Sequence, residues 1–212
     1  MKKNKIEHRT ANMEIASPRT GVMSGHAALY NTEYRYTITD DEGGTITVIE
    51  IIRPGAFTPE LINRSDVRAT LNHDANHVLA RSKRGQGTMK LIADERGLRF
   101  EFEPTEHHSH IIASVERGDI DQCSYKYIPK EERVTVLNST TIQREVISFE
   151  ELYDICLATY PAYEDTHVSY EMRDANVPES IRTELTKKIE EKKEEDWQQN
   201  YNSRERELSI MN

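Results

Sequence analysis

Short apolar runs with strand periodicity dominate the chain between residues 20 and 172. Residues 45–52 are rich in β-branched side chains and follow Gly43 and Gly44, which form a turn signal. Residues 98–103 alternate between apolar and charged side chains, so they predict a strand with one solvated face. The predicted strands together cover residues 25–30, 45–52, 67–71, 88–93, 98–103, 122–128, 133–137, 141–149 and 152–159. This pattern predicts a mainly β domain.

Two segments have the spacing of helices instead. Residues 58–64 carry Leu61 and Ile62, and residues 106–117 carry Ile111, Ile112 and Val115. Thr105 is a suitable N-cap for the second segment, and Gly118 is a suitable end. Many strands with few helices predict an α+β fold, in which helices flank a closed or nearly closed β-barrel or a sandwich.

The sequence changes character near residue 172. Residues 173–212 contain 8 Lys or Arg and 10 Asp or Glu, and apolar side chains occupy only a few positions. Ile181, Leu185 and Ile189 follow one another at four-residue steps, which predicts a helix with one narrow apolar face. We therefore predict a β-rich domain over residues 1–172 and a charged helical tail over residues 173–212.

Composition narrows the classes of partner. The formal net charge of -9 and the pI of about 5.4 oppose binding to nucleic acid or to an anionic membrane surface. No stretch approaches the roughly 20 apolar residues that a membrane span requires, and no apolar run follows the first lysines to predict a secretory signal. Two cysteines, Cys123 and Cys156, are too few for a disulfide framework, which favours a reducing, intracellular compartment.

Three polar side chains occur within or directly after predicted apolar strands. His73 follows one strand, Ser124 lies within another, and Asp154 interrupts the last strongly apolar run. These residue types are the base, the nucleophile and the orienting acid of serine hydrolases, because a serine hydroxyl is inert at neutral pH without a base. Taken alone, ordinary structural roles explain them better: a histidine bonded to a loop carbonyl, a serine bonded to a neighbouring strand and an aspartate paired with a surface arginine.

Several short motifs between about residues 20 and 170 carry more information than these single residues. The most specific are the RPGAF run at residues 53–57 and the NHD run at residues 72–74. The others lie at residues 25–30, 78–81, 97–100, 117–119, 124–127 and 152–162. In order and spacing, the set resembles the prohead (capsid-maturation) serine protease family of tailed double-stranded-DNA phages.

The resemblance implies which residues form the active site. In that family the histidine of the NHD motif is the general base, and the serine that opens the serine-aromatic motif is the nucleophile. These positions are His73 and Ser124 here. The acid belongs to a Leu-x-Glu-x-Ser pattern and corresponds to Asp154. Because aspartate is one methylene shorter than glutamate, Glu150 and Glu151 remain alternative acids.

Further departures from the family pattern affect the surroundings of these residues. Lys126 stands where a glycine is usual after the serine-aromatic pair, Cys156 stands where a serine is usual, and Ala80 replaces a usual glycine.

The resemblance also implies a fold and a set of partners. The family is similar to herpesvirus assembly proteases, which implies a β-barrel ringed by helices. The implied substrate is the scaffold protein, or the scaffold domain of the major capsid protein, together with the protease itself. We therefore expect a serine endopeptidase that acts inside the assembling procapsid in the host cytoplasm. We expect no cofactor, metal, nucleic-acid or membrane partner, and a homo-oligomer is compatible with the sequence.

Two other nucleophile arrangements stay open. Cys123 adjoins Ser124 and suits a Cys–His enzyme, but successive strand residues face opposite ways, so only one of the two can address His73. Lys126 shares the face of Ser124 and allows a Ser–Lys dyad.

Two other functional classes stay open as well. The histidine-rich run at residues 107–110, or the pair His73 and His77, would suit a metal hydrolase, although no further ligand is suitably spaced. A β-domain of this kind that has lost catalysis would be a scaffolding or capsid-assembly protein.

Overall fold

The computed structural model describes residues 7–12, 21–39, 43–159, 187–195 and 197–198. The strands in these residues are β1 (Glu7–Asn12), β2 (Met23–Leu29), β3 (Glu33–Thr39), β4 (Thr45–Ile52), β5 (Asp66–Leu71), β6 (Asp74–Lys83), β7 (Gln86–Gly87), β8 (Met89–Ala93), β9 (Gly97–Phe102), β10 (Gln122–Asn138) and β11 (Thr141–Ala158). The helices are α1 (Pro59–Arg64) and α2 (Ser109–Arg117), with helical residues also at 187–195 and 197–198. The predicted mainly β architecture with few helices is confirmed. None of the helices described is long and apolar enough to span a membrane.

The strands form two sheets. The larger has the order β1-β10-β11-β5-β6-β7, with β4 paired to β11 and β3 paired to β4. The smaller has the order β2-β9-β8. The predicted closed barrel is not found, because within the described strands the path runs from β1 to β7 and these two do not pair. The 18-residue β11 has two partners, β4 and β5, besides β10, so the sheet branches there instead of closing.

Each of the long strands replaces two shorter predicted ones. Residues 122–128 and 133–137 belong to the single strand β10, and residues 141–149 and 152–159 fall almost entirely within β11. Along the outer half of β10, half-buried and exposed positions still alternate. Residues 129–132, between the two predicted strands, are half-buried or exposed and continue β10 without a break.

Local sequence explains the ends of the helices. Before α1, the Thr58 hydroxyl accepts a hydrogen bond from the Leu61 N–H at 3.2 Å, and Pro59 occupies the first turn. α2 ends at Gly118, whose φ of 80° is the left-handed conformation that glycine adopts without cost. The predicted cap Thr105 makes no capping bond, because a 3-10 turn at Glu106–His108 precedes α2.

The chain divides into two compact units. Unit 1 comprises Met1–Tyr34, Ile51–Arg133 and Glu145–Val168, and unit 2 comprises Arg35–Glu50, Val134–Arg144 and Ser169–Asn212. The core of unit 1 is rich in aromatic rings: Phe57 stacks on Phe149 with a centroid distance of 4.7 Å, and Tyr127 meets Phe149 edge-on at 4.9 Å.

The predicted tail at residues 173–212 is described only at 187–195 and 197–198, which are helical, and Ile189 there is buried. The predicted boundary near residue 172 and the start of the tail lie outside the described residues.

Candidate active site

A tight turn between β5 and β6 carries the candidate histidine. Leu71 pairs with Asp74 across the turn, leaving Asn72 and His73 as a two-residue loop with φ values of 51° and 59°. Positive φ at both positions is the conformation of type I′ hairpin turns, which asparagine tolerates well. Histidine at the second position carries strain of about 1–3 kcal/mol, which the surrounding contacts must offset.

Asn72 provides those contacts by holding the turn to the end of β11. Its backbone N–H donates to the Leu157 carbonyl at 2.9 Å, and its side-chain amide donates to the Thr159 hydroxyl at 2.9 Å. The Thr159 N–H donates back to the Asn72 side-chain oxygen at 2.8 Å. We call this set of three bonds the Asn72 clasp. It fixes the position of His73 relative to β11.

The structure brings the three candidate residues together. The His73 Nδ1 lies 2.6 Å from a carboxylate oxygen of Asp154, and the His73 Nε2 lies 2.8 Å from the Ser124 hydroxyl. The three side chains come from the β5–β6 turn, β10 and β11, all within unit 1. A continuous hydrogen-bonded chain thus runs from carboxylate through imidazole to hydroxyl, which is the geometry of a serine nucleophile with its base and orienting acid.

Parallel pairing of β5 and β11 places Asp154 beside the turn. Asp154 pairs with Arg68 and Cys156 with Thr70, so both strands end at the same edge of the sheet, where His73 follows β5. The Thr70 hydroxyl donates to the second oxygen of Asp154 at 2.9 Å. Asp154 is only 8% exposed, and these two partners compensate for the loss of water. The shorter aspartate side chain therefore reaches the histidine.

The alternative acids lie elsewhere. Glu150 is exposed, and the Glu151 carboxylate accepts a hydrogen bond from the Tyr153 hydroxyl at 2.7 Å. Neither carboxylate has a bond to His73 among the described residues.

Both cysteines are buried free thiols. Cys123 is fully buried on the core face of β10 with Tyr125 and Tyr127, and burial raises the pKa of its thiol. Burial also raises the pKa of Cys156 to about 12, an effect that the nearby Asp154 carboxylate strengthens. Since the thiolate is the reactive form, neither cysteine suits a nucleophile at neutral pH.

Cys156 has a second relation to the site. The backbone N–H groups of His73 and Ser124 lie near its sulfur and oppose the rise in its pKa. Cys156 therefore contacts the backbone of both the candidate base and the candidate nucleophile.

The histidine-rich alternatives do not assemble. In the part of the chain that the structure describes, no group of three or more His, Cys, Asp or Glu side chains is arranged to hold a metal ion. Burial, together with the neighbouring His107 and His110, lowers the pKa of His108. His77 bonds to Asp74 at 3.0 Å on the exposed start of β6.

A cavity of about 590 Å³ lies in unit 1 but is not lined by His73, Ser124 or Asp154. Its lining includes Asp94, whose carboxylate bonds to His26 at 2.8 Å and accepts two backbone N–H groups of the β8–β9 turn. Asp94 therefore has a structural role. We place the reactive chemistry at the hydrogen-bonded chain and not at the cavity.

Sequence reasoning missed Thr70, the Asn72 clasp and the whole of β6. A threonine within a strand is common, so nothing in the sequence distinguishes Thr70. Asparagine before the histidine was a visible signal, because asparagine is frequent where φ is positive.

Comparison with known proteins adds to this geometry. A family model described as caudovirus prohead serine protease matches residues 5–180, most of the 212-residue chain. The chain matches no curated protein and no solved structure. The family match includes the β5–β6 turn, β10 and β11. The chain therefore belongs to the caudovirus prohead serine proteases.

Proposed function

We propose that this chain is an active serine endopeptidase that cleaves a scaffold or capsid precursor, and itself, during procapsid maturation. The single observation that carries the proposal is the continuous hydrogen-bonded chain from Asp154 through His73 to Ser124, in a member of this family. Ser124 is the proposed nucleophile, His73 the general base and Asp154 the orienting acid.

The proposed reaction follows from the positions of the protons. His73 Nε2 takes the Ser124 proton as the oxygen attacks the scissile carbonyl, and returns it to the leaving amine. Asp154 accepts the Nδ1–H of His73, which fixes the tautomer and stabilises the imidazolium that forms. Water then repeats the sequence on the acyl-enzyme and releases the second product.

Burial of the nucleophile bears on how substrate enters. Ser124 is only 1% exposed, so a substrate carbonyl reaches its oxygen only after covering atoms move. Low water access strengthens the electrostatic contacts among the three side chains. Burial of Ser124 also keeps the cleavage of other peptides slow until a substrate peptide is bound.

The substrate class and location are proposed from the family. The scaffold protein, or the scaffold domain of the major capsid protein, fills the immature capsid where the protease acts. We also propose a fold related to the herpesvirus assembly proteases. The competing proposal is a catalytically inactive assembly protein of the same family.

Co-expression with the capsid and scaffold precursors tests the proposal. We expect shortened precursor products, identified by mass, that disappear in Ser124→Ala and persist in Ser82→Ala. Ser82 is a matched control, since it is 1% exposed and its hydroxyl has no hydrogen-bond partner among the described residues. Precursors that stay intact with the wild-type chain would favour the inactive assembly protein. Cleavage that survives Ser124→Ala but is abolished by Cys123→Ala would show that the nucleophile is wrong.

The tail has a separate proposed role. The distinct composition of residues 173–212 supports recruitment of the protease into the assembling shell through scaffold or capsid contacts, followed by autoproteolytic removal. Deleting residues 173–212 should reduce the amount of protease packaged in procapsids. Unchanged packaging would rule out recruitment.

A further inference from the structure

Lys126 lies beside the proposed nucleophile. It follows Ser124 by two positions on β10, and two steps along a strand cover about 6.6 Å on one face of the sheet. The residues between and after them, Tyr125 and Tyr127, are fully buried on the opposite, core face. Lys126 therefore projects on the face where His73 approaches the Ser124 hydroxyl.

The positive charge of Lys126 affects Cys156, a residue close to His73 and Ser124. Its ammonium opposes the rise in the pKa of the Cys156 thiol, and that thiol contacts the backbone N–H groups of His73 and Ser124. This electrostatic effect agrees with the strand geometry. Both place Lys126 on the Ser124 face of β10 and near Cys156.

Lys126 has no counterion in the described structure. It is half-buried, yet its ammonium makes no hydrogen bond or ion pair with a side chain that the structure describes. Two other cations of unit 1 are paired with carboxylates, in the Arg53–Glu145 and Arg81–Asp66 bridges. A partly desolvated ammonium without a carboxylate is costly, so an incoming carboxylate would bind there favourably.

Lys126 is not placed to be the base. His73 Nε2 already lies 2.8 Å from the Ser124 hydroxyl, and Asp154 holds the other nitrogen of the ring. In a Ser–Lys dyad, His73 and Asp154 would have no role in catalysis. Lys126 therefore has no part in the proton transfer between Ser124 and His73.

We propose that Lys126 forms a subsite for an acidic side chain next to the scissile bond of the peptide substrate. The inference rests on the proposed protease activity and specifies its substrate class. A glutamate or aspartate near the cleaved bond supplies the missing counterion, while a neutral residue leaves the ammonium partly desolvated and unpaired. The resemblance to the family suggests glycine at this position, so the preference is a property of this chain.

Peptides spanning the Ser124-dependent cleavage site test the inference. Each pair carries Glu or Gln at one of the positions flanking the bond and is otherwise identical. We expect kcat/KM to be about tenfold higher for the Glu peptide at one position, as for a hydrogen bond to a charged group. The ratio should fall as salt is raised.

Charge variants sharpen the test. Lys126→Gly should bring the Glu/Gln ratio to about one, and Lys126→Glu should favour a Lys peptide over a Glu peptide. Lys130→Glu is the matched control, because Lys130 lies on the same strand face but is exposed, and it should keep the wild-type ratio. Comparing two peptides with one variant cancels any general effect of the substitution on catalysis.

The outcomes separate this inference from the proposed function. Equal kcat/KM for Glu and Gln at every position, with Ser124-dependent cleavage retained, overturns the subsite and leaves the protease intact. Equal slowing of all peptides by Lys126→Gly also overturns it, and assigns Lys126 to stabilising the tetrahedral oxyanion. If the Lys126 variants do not fold, binding of the same peptides to Ser124→Ala at low and high salt decides. Absence of cleavage by the wild-type chain overturns both proposals.

Discussion

Two buried carboxylates, one in each unit, stand in opposite chemical situations. Asp154 in unit 1 is 8% exposed and bonds to the His73 ring and the Thr70 hydroxyl. Glu50 in unit 2 is fully buried and accepts a hydrogen bond from Arg144 at 2.9 Å and one from Tyr36 at 3.4 Å. Both satisfy the requirement that a buried carboxylate be paired.

The difference lies in what the partner can do next. A guanidinium stays protonated, so Arg144 with Glu50 forms an ion pair that neither accepts nor passes on a proton. An imidazole exchanges protons near neutral pH and has a second nitrogen, which here meets a hydroxyl. Burial of a carboxylate therefore does not indicate function; the chemistry of its partner does.

The largest expected effect is the loss of cleavage when Asp154, the proposed orienting acid, is replaced. Asp154→Asn should lower kcat by about 10⁴, because an amide no longer holds His73 in the tautomer that accepts the serine proton. Folding should persist, since the amide is isosteric and can still bond to Thr70. Peptide cleavage rates and thermal melting of the purified variant measure the two effects. Near-wild-type turnover would show that another group is the acid.

The second prediction concerns the buried ion pair of Glu50 with Arg144 in unit 2. Glu50→Gln should lower the free energy of unfolding by about 3–5 kcal/mol, because the buried Arg144 guanidinium then loses the negative charge of its Glu50 partner. Cleavage per folded molecule should not change. Urea denaturation, with activity measured on the folded fraction, tests both parts.

The matched double variant Glu50→Leu with Arg144→Leu should recover much of that loss, since both buried charges are removed together. A loss of turnover in Glu50→Gln without a loss of stability would contradict the division of roles between the two carboxylates.

A smaller effect is expected from the residue that orients Asp154. Thr70→Val removes one hydrogen bond to the carboxylate and should lower kcat about tenfold, with KM nearly unchanged. The pH profile of kcat should shift, which a general packing defect would not produce. Thr70→Ser should restore most of the activity. Full activity in Thr70→Val would mean that His73 alone positions Asp154.

The smallest effect involves a half-buried ion pair, Arg81 with Asp66, that among the described residues makes no bond to the three proposed catalytic ones. The hydrogen bond from Arg81 holds the pKa of Asp66 at about 2, below its ordinary 3.8. Because the folded pKa is the lower one, the pair stabilises the fold above about pH 4 and loses this contribution as the pH falls toward 2.

Arg81→Ala should therefore lower the free energy of unfolding by less than about 1 kcal/mol at neutral pH. The contribution is small because the side chains of Arg81 and Asp66 are both more than one third exposed. Denaturation curves of variant and wild type should converge near pH 2 and separate above pH 4. A separation that grows on acidification would contradict the direction of the shift.

Local patterns predicted much of the fold. The strand at residues 45–52 was predicted with its observed bounds, and the α1 segment was predicted to within one residue. β6 was missed because its first half is exposed and polar, so no apolar periodicity marks it. The motifs also indicated His73, Ser124 and Asp154, although their catalytic roles are still a proposal.

The remaining features depend on contacts between distant parts of the chain. His73 is 81 positions from Asp154 and 51 from Ser124, and no local periodicity encodes such a distance. Parallel pairing of β5 with β11 decided that Thr70 meets Asp154, and the Asn72 clasp decided where the turn sits. By itself, the sequence determined the strand-rich character, the acidic charge and the family motifs, because these depend on residue type and short spacing. Only the tertiary structure decided which carboxylate reaches the histidine, since strand register sets that distance.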